Sequence, residues 1–174
     1  MPASEQGVAL SAHRYQLIPR VLCFVLSGDE VLLIRGAPGK KIWPGLYNGL
    51  GGHVERGETL HAAARREILE EAGLSVDDLR LRGTITIDTG EPAGIGLFVF
   101  TARALGRELV DSSEGTLEWV PLSRVGALEA VADIPLLLAY LGRQVPDAPP
   151  FSARYHYDEG GQLIVEFENT AALA

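Results

Sequence analysis

Apolar residues near the start of the chain fall into two short runs separated by a polar turn. The first run is residues 20–26, RVLCFVL, the second is residues 31–35, VLLIR, and SGDE lies between them. Two such runs around a Gly-containing turn are typical of a β-hairpin, so we predict two antiparallel strands. Residues 1–16 are mostly small and polar, and we expect them to form a flexible N-terminal arm.

The segment after this hairpin lacks the apolar periodicity of a helix or strand. Residues 36–53 read GAPGKKIWPGLYNGLGGH and are rich in Gly and Pro. A loop of this length in a compact domain is often functional. We therefore expect a binding loop here.

The strongest helical pattern is residues 60–72, LHAAARREILEEA. These residues are good helix formers and include no Gly or Pro. Thr59 suits the N-cap, because its side-chain oxygen can accept a hydrogen bond from a first-turn amide. Gly73 suits the left-handed position that often ends a helix. We predict one helix between these two residues.

The remaining pattern sets the fold class. Strand-like runs cover residues 79–90, 95–105 and 117–122, an apolar helix covers residues 134–144, and a terminal hairpin covers residues 154–168. Several strands with only two helices, not in alternating order, indicate the α+β class, with a β-sheet sandwiched between α-helices. We predict a single domain over residues 17–170.

Composition narrows the classes of function. The chain has 174 residues, of which 47% are hydrophobic, and this fits one domain with a packed core. A formal net charge of −8 argues against binding to nucleic-acid polymers, which depends on Lys and Arg at the phosphates. The single Cys23 excludes an internal disulfide and is expected in the core. No membrane span or signal peptide is recognisable, so we expect a cytoplasmic protein.

Three glutamates of the predicted helix share one side. At about 100° per residue, Glu67, Glu70 and Glu71 fall within roughly 100° of each other. A divalent cation would turn the repulsion between them into binding, and hard oxygen ligands favour Mg²⁺ or Mn²⁺. A solvated acidic face is the alternative and is common for charge runs. The apolar side that we expect to pack against the core consists of Ile68, Leu69 and Ala72.

The glycine turn before the helix favours the metal site. Gly51 and Gly52 permit a tight backbone that can aim a carbonyl oxygen at an ion. Glu58 can accept a bidentate hydrogen bond from Arg66, which would fix the turn to the helix. Turn and helix together predict one composite cation site.

These residues form a spaced pattern. It runs Gly52, five residues, Glu58, seven residues, Arg66-Glu67-Ile68, one residue, Glu70-Glu71, one residue, and Gly73-Leu74. Every fixed position matches the Nudix box, G-x5-E-x7-R-E-U-x-E-E-x-G-U, in which U is a bulky aliphatic residue. The chain therefore resembles the Nudix hydrolases and is similar to their MutT-like members.

The resemblance implies a fold, a reaction and a cofactor. Nudix proteins share a mixed β-sheet between helices, and they hydrolyse nucleoside diphosphates linked to a further group. Water attacks a phosphorus of the pyrophosphate with the help of Mg²⁺ or Mn²⁺. The expected cofactor is Mg²⁺, with Mn²⁺ as the substitute, and the expected partner is a small nucleotide. Many family members are homodimers, and the sequence leaves the oligomeric state open.

The resemblance also implies roles for the acids of the box. Glu70 and Glu71 are the implied direct metal ligands, and the carbonyl of Gly51 joins them. Glu67 is either a further ligand or the base that takes a proton from water, because family members differ on this point. The residues implied to orient the helix and the loop are Arg66 and Glu58.

Many Nudix enzymes recruit a further acid from outside the box. The candidates here are Glu114 and Glu118, in the sequence SSEGTLEWVPL. Glu118 falls within a predicted strand and could face solvent. Glu114 lies in the loop before that strand, from which a side chain can reach the site, so we favour Glu114 as the additional metal ligand.

The segment before the box bears on the substrate. Oxidised-purine triphosphatases of the MutT type carry W-N-G-F-G-G-K there, and this chain carries YNGLGGH at residues 47–53. Asn48 falls where the animal enzymes of this group have an asparagine that contacts the purine, and an amide offers both a donor and an acceptor. Alternatively, Asn48 is a turn residue before Gly49. His53 replaces the lysine and either takes part in metal binding or only lines the loop.

Other substrate candidates lie in the loop and near the tail. IPLLLAYL and the hairpin after it resemble the closing elements of the same enzymes, but their paired base-gripping aspartates are represented here by Asp133 alone. Trp43 and Tyr47 either stack on a base or cover the core. Three cationic side chains are candidates for phosphate binding: Arg35, Lys40 and Lys41. The alternative is that they are solvent-exposed residues without a role in binding.

These patterns predict a Mg²⁺-dependent pyrophosphohydrolase that converts a purine nucleoside triphosphate to monophosphate and pyrophosphate. An oxidised purine such as 8-oxo-dGTP is one candidate. An ADP-ribose or dinucleoside polyphosphate hydrolase is the alternative, although the proline signal expected for ADP-ribose enzymes is weak, with Thr89 at the expected position and Pro92 the nearest proline, and the tyrosine expected for diadenosine enzymes is absent from residues 75–99. A non-catalytic nucleotide-binding regulator is disfavoured, because the box keeps every acid.

Overall fold

The computed structural model of the protein describes Pro2 and residues 14–168. Most of the predicted N-terminal arm, residues 1–16, lies outside the described residues, although residue 16 already belongs to the first strand. The strands are β1 Gln16–Ser27, β2 Glu30–Gly36, β3 Tyr47–Asn48, β4 Val76–Ile87, β5 Ala93–Ala104, β6 Gly115–Pro121, β7 Phe151–Tyr157 and β8 Leu163–Phe167. The α-helices are α1 Leu60–Ala72 and α2 Ile134–Leu141, and a 3₁₀ helix covers Leu122–Ala127. Among these residues, no helix is both long and apolar enough to cross a membrane.

The strands form one mixed sheet in the order β3-β2-β1-β5-β4-β7-β8, and β6 pairs with β2 along Glu30–Gly36. β1 runs parallel to β5 and β4 runs parallel to β7, whereas the other pairs are antiparallel. The predicted hairpin of β1 and β2 and the predicted terminal hairpin of β7 and β8 are both confirmed.

The two helices cover opposite faces of this sheet. Cys23 of β1 packs with Ile68 of α1 in one core cluster, and the next residue, Phe24, packs with Leu137 of α2 in the other. Successive strand residues point to opposite faces, so β1 can supply both cores at once. The α+β class, with a mixed sheet between helices, is confirmed.

Helix α1 begins and ends where the sequence predicts. The side chain of Thr59 accepts a hydrogen bond of 3.2 Å from the Ala62 amide, and Gly73 takes the left-handed conformation with φ 69°. One expectation is wrong, because Leu69 is 56% exposed and does not pack in the core. At about 100° per residue, Leu69 points roughly 140° away from the middle of the buried side. Glu71 lies close to that middle and is only 8% exposed.

Two other expectations are corrected, and one element was not predicted. The long loop, residues 36–53, contains the short strand β3, and Leu50 exchanges two backbone hydrogen bonds with Cys23. The loop is therefore held against β1 rather than free. Helix α2 ends at Leu141 instead of residue 144. No sequence pattern predicted the 3₁₀ helix after β6.

Candidate active site

The glycine turn is anchored on β1 and contacts α1. The amide of Val21 donates to the Gly52 carbonyl at 2.9 Å, and the amide of Gly51 donates to Oε2 of Glu71 at 3.0 Å. Gly51 has φ 146°, and a Cβ there would collide with the carbonyl oxygen of Val21. Only glycine accommodates both conditions, so this close approach positions Glu71.

Gly52 makes room for a second carboxylate. A Cβ on Gly52 would overlap the carboxylate of Glu67, whose side chain is 13% exposed. The absence of a side chain at this position lets the Glu67 carboxylate lie directly against the backbone of the turn. The two glycines thus serve two different glutamates, a detail that the sequence did not indicate.

Arg66 links the turn, the loop and the helix. Its Nε and Nη2 donate to the two carboxylate oxygens of Glu58 at 2.7 and 3.0 Å, which is the bidentate pair that the sequence predicted. Nη2 also donates to the backbone oxygen of His53 at 3.0 Å, and Nη1 binds Glu67 at 2.9 Å and Glu70 at 3.0 Å. The hydrogen bonds from Arg66 lower the pKa of Glu58 to about 2. All five donors of the guanidinium are therefore used in hydrogen bonds within the site.

The glutamates of α1 differ in their surroundings. Burial raises the pKa of Glu71 to about 7, nearby Glu114 and Glu67 act in the same direction, and the Gly51 amide opposes them. Burial likewise raises the pKa of Glu67, against the effect of Arg66. Glu70 is largely exposed and bonds to Arg66 instead of joining Glu71. Two of the three carboxylates are thus held in a partly dehydrated environment that favours a cation or a proton.

The two candidate acids outside the helix face different sides of the sheet. Glu118 pairs with Leu33 across β6 and β2, and its carboxylate accepts a 2.6 Å hydrogen bond from the Tyr47 hydroxyl. Glu114 lies before β6 and lines a pocket with Glu71. Register therefore directs Glu118 away from the box helix and leaves Glu114 beside it.

This pocket lies where the loop, the glycine turn and α1 meet. Its volume is about 60 Å³, and its polar lining comes from Asn48, Glu71, Glu114 and Lys40. Typical ligand pockets measure several hundred Å³, so a nucleotide must extend out of this one. The pocket can hold reacting groups or an ion, while the rest of a ligand lies on the loop.

The carboxylates of this site are the candidate ligands for a metal ion. Within residues 14–168, no group of three or more His, Cys, Asp or Glu side chains is close enough together to hold a metal ion. The donor chemistry nevertheless fits a hard divalent cation, because Glu67 and Glu71 are dehydrated carboxylates and Glu114 acts electrostatically on both. Side-chain movement is needed to bring three carboxylates together.

Asn48 has features of a turn residue and of a residue that contacts a ligand. Its Oδ1 accepts a 2.8 Å hydrogen bond from the Gly49 amide, as a turn residue would. The residue also lines the pocket beside Glu71, and its amide nitrogen still offers donors there. Its role in base contact stays a prediction.

The aromatic candidates are divided between the pocket and the opposite face. Trp43 lines the pocket, is 46% exposed and has φ 53°. Tyr47 packs against the core cluster of α2, bonds to Glu118 and lies under the Arg35 guanidinium, 5.7 Å from ring centre to Cζ. Of the two, only Trp43 is available to a ligand in this pocket.

Of the remaining candidates, only Lys40 lines the pocket. Asp133 is buried at the start of α2, where burial raises its pKa, and Lys41 is exposed without a partner among the described residues. His53 accepts a 3.1 Å hydrogen bond from Nε of Arg20 at its Nε2. Lys40, which the sequence did not distinguish from Lys41, forms an ion pair with Glu114. This pair spans 74 residues and depends on the β2–β6 register, which no local pattern reveals.

The chain is similar in sequence to known proteins. The family model for the NUDIX domain matches residues 16–141. The chain is 35% identical over 122 residues to the oxidized purine nucleoside triphosphate hydrolase of Mus musculus, covering 67% of this chain and 77% of that protein. It is 32% identical over 143 residues to the NAD-capped RNA hydrolase NudC of Pseudomonas aeruginosa, covering 79% of this chain but only 49% of that protein.

Solved structures share the fold. The crystal structure of a MutT protein from Bacillus halodurans matches with a TM-score of 0.72 and 25% sequence identity. The match covers 87% of this chain and 98% of that one. A NUDIX hydrolase from Nitrosomonas europaea matches with a TM-score of 0.65 at 21% identity, over 83% of this chain and 81% of that one.

Proposed function

The chain belongs to the NUDIX family and is a Nudix pyrophosphohydrolase, and we propose that it hydrolyses a purine nucleoside triphosphate with the help of Mg²⁺. The observation that carries this proposal is the buried Glu71 carboxylate, which is held by the Gly51 amide in a pocket that Asn48 and Glu114 also line. The products would be the nucleoside monophosphate and pyrophosphate.

Glu71 and Glu114 are the residues that would hold the cation, and Glu67 would be either a third ligand or the base. When bound, a divalent ion supplies neutralising charge for the phosphoryl oxygens and lowers the pKa of a water molecule. The Gly51 carbonyl and Glu70 are further ligand candidates, although Glu70 must first leave Arg66. Mn²⁺ would serve the same residues, since it accepts the same oxygen ligands.

Glu67 is well suited to move the proton. In the reaction, the water oxygen forms a bond to phosphorus, the anhydride P–O bond breaks, and the water loses a proton. Burial raises the pKa of Glu67, which makes it a better base than an exposed glutamate. Arg66 orients this carboxylate through a 2.9 Å hydrogen bond, and Glu58 holds Arg66 in place.

The purine preference rests on the loop. Asn48 and Trp43 both line the pocket, and an amide and an indole suit the edge and the face of a base. The similarity to the mouse enzyme, whose name refers to oxidized purine nucleoside triphosphates, supports a substrate of this class. Arg35, Tyr47, Lys41 and Asp133 stay substrate-binding predictions outside the pocket.

A second candidate substrate is a dinucleotide with an internal pyrophosphate, such as NAD, ADP-ribose or a dinucleoside polyphosphate. The similarity to the NAD-capped RNA hydrolase of Pseudomonas aeruginosa favours it. The net charge of −8 argues against extended contact with an RNA chain. A single domain over residues 17–170, a homodimer and a cytoplasmic location remain predictions.

A product-resolved assay tests the proposal. The protein is incubated with Mg²⁺ and dGTP, 8-oxo-dGTP, ATP, NAD, ADP-ribose, diadenosine tetraphosphate or a nucleotide sugar, and products are separated by chromatography. We expect the highest kcat/KM for a purine triphosphate, with pyrophosphate as the second product. Preferred cleavage of NAD, ADP-ribose or the diadenosine compound would contradict the first candidate in favour of the second. No turnover of any compound with Mg²⁺ or Mn²⁺ would contradict both.

A further inference from the structure

Lys40 carries the one cationic side chain among the described residues that line the active-site pocket. Its Nζ lies 2.5 Å from Oε2 of Glu114, and both side chains are partly exposed. Glu114 acts electrostatically on Glu71 and Glu67, so the ammonium sits at the edge of the acidic cluster. A positive charge thus occupies a position next to the carboxylates expected to hold the metal ion.

Arg66 cannot serve as a mobile charge in this pocket. Its guanidinium donates to three carboxylates and to one backbone oxygen, so its donors are already used. Lys40, in contrast, has a single side-chain partner at the end of a flexible stem. Lys40 can therefore exchange its partner more readily than Arg66.

The backbone holds Lys40 near the pocket independently of the ion pair. The amide of Ala37 donates to the Glu114 carbonyl at 2.9 Å, and the amide of Lys40 donates to the Ala37 carbonyl at 3.0 Å. These bonds tie the turn of the loop to the start of β6. The ammonium can therefore leave the Glu114 carboxylate while the stem of Lys40 stays in position.

We propose that Lys40 is an exchangeable counter-ion of the active site. In the metal-free protein its ammonium neutralises Glu114. When a divalent cation takes that carboxylate, Lys40 is displaced and binds the phosphates of the incoming substrate. The inference rests on the proposed function, in which Glu114 holds the metal ion, and it makes Lys40 a residue that acts in both metal and phosphate binding.

The exchange has effects of opposite sign on the two ligands. Because Lys40 competes with the metal ion for Glu114, its removal strengthens metal binding. Because Lys40 afterwards contributes a charge-assisted hydrogen bond to phosphate, its removal weakens phosphate binding. If Lys40 only stabilised the loop, its removal would weaken both metal binding and phosphate binding. If it were a distant surface charge, its removal would affect neither.

Calorimetry on the full chain tests the first effect. Mn²⁺ is titrated into the metal-free wild type, Lys40→Met and Lys40→Arg, with Arg154→Met as control. Arg154 carries an equal charge and pairs with Glu166 on the distant β7–β8 hairpin. We expect Lys40→Met to bind Mn²⁺ about two- to fivefold more tightly, the scale of a partly exposed ion pair. Lys40→Arg should bind Mn²⁺ no more tightly than the wild type does. Arg154→Met should bind Mn²⁺ with the same affinity as the wild type.

Inorganic pyrophosphate is the probe for the second effect, because it carries the phosphates without a base. Titrated into Mg²⁺-saturated protein, it should bind Lys40→Met at least about fivefold more weakly than the wild type. Unchanged or weaker Mn²⁺ binding by Lys40→Met, an equal effect in Arg154→Met, or unchanged pyrophosphate binding would each overturn the exchange. Both titrations are independent of nucleotide turnover, so an inactive wild type would contradict the proposed function and still leave Lys40 tested.

Discussion

The amide of Gly51 donates a 3.0 Å hydrogen bond to Oε2 of Glu71, which lies 20 residues further along the chain. This bond joins the glycine turn to the middle of the buried side of α1. It fixes one oxygen of a dehydrated carboxylate that lines the pocket. The glycine turn, which the sequence predicted to be tight, is therefore bonded directly to a glutamate of the site.

The burial of Glu71 predicts how stability depends on pH. Its pKa is raised to about 7 in the folded protein, whereas a glutamate of the unfolded chain titrates near about 4.3. The folded state therefore binds this proton more tightly, and the associated stability is present at low pH and lost as pH rises through 7. The free energy of unfolding in EDTA should fall by on the order of 2 kcal/mol between pH 5 and pH 8.

The matched control is Glu71→Gln, which removes the titrating group and keeps the shape. Urea unfolding of both proteins at pH 5, 6, 7 and 8 gives the difference that belongs to Glu71. We expect a flatter profile for the variant. The same slope in both proteins would mean that Glu71 is not the group with the raised pKa. Mn²⁺ affinity of the wild type should also rise with pH, because the metal ion must displace this proton.

Replacing Gly52 should damage catalysis more than folding. A Cβ at this position meets the carboxylate of Glu67, which must move away from the site. We expect Gly52→Ala to lower kcat at least about a hundredfold, since small misplacements of catalytic groups are costly. Gly39→Ala is the control, because that position is open and lies in the same loop. Comparable kcat values for the two variants would show that Glu67 does not need this space.

Glu114 and Glu118 should differ in metal binding. Glu114 lines the pocket beside Glu71, whereas Glu118 bonds to Tyr47 on the other face of the sheet. We expect Glu114→Gln to weaken Mn²⁺ binding by about tenfold or more, and Glu118→Gln to bind like the wild type. Calorimetry measures both. The reverse result would transfer the role of the additional acid to Glu118.

Asn48 should affect substrate choice more than the chemical step. The residue lines the pocket, and its Oδ1 accepts a hydrogen bond from the Gly49 amide. We expect Asn48→Ala to raise KM for purine triphosphates by about tenfold and to change pyrimidine triphosphates much less. Equal effects on the two classes, measured by steady-state kinetics, would identify Asn48 as a turn residue only.

Local patterns were enough to predict most of the fold. Thr59 and Gly73 mark the two ends of α1, and they could be recognised because caps act through neighbouring residues. The hairpins follow from short apolar runs around polar turns. The sequence spacing also indicated the pair of Arg66 and Glu58. These features depend on contacts within roughly one or two helical turns, or on a motif with fixed spacing.

Other features depend on register and burial, which the sequence does not display. The burial of Glu71 and the exposure of Leu69 result from the angle at which α1 packs on the sheet. The contact of Lys40 with Glu114 requires β6 to pair along β2. The separation of Asp133 from the pocket likewise reflects the docking of α2 on the opposite face.

The most direct test of the proposed active site is the turnover of the best nucleotide substrate by Glu71→Gln with saturating Mg²⁺. Circular dichroism first establishes that the variant folds. The loss of the carboxylate should reduce kcat at least about a thousandfold, because glutamine keeps the hydrogen bond to Gly51 but cannot supply the charge for the cation. Retention of wild-type kcat by a folded Glu71→Gln protein would contradict the metal-dependent site described above.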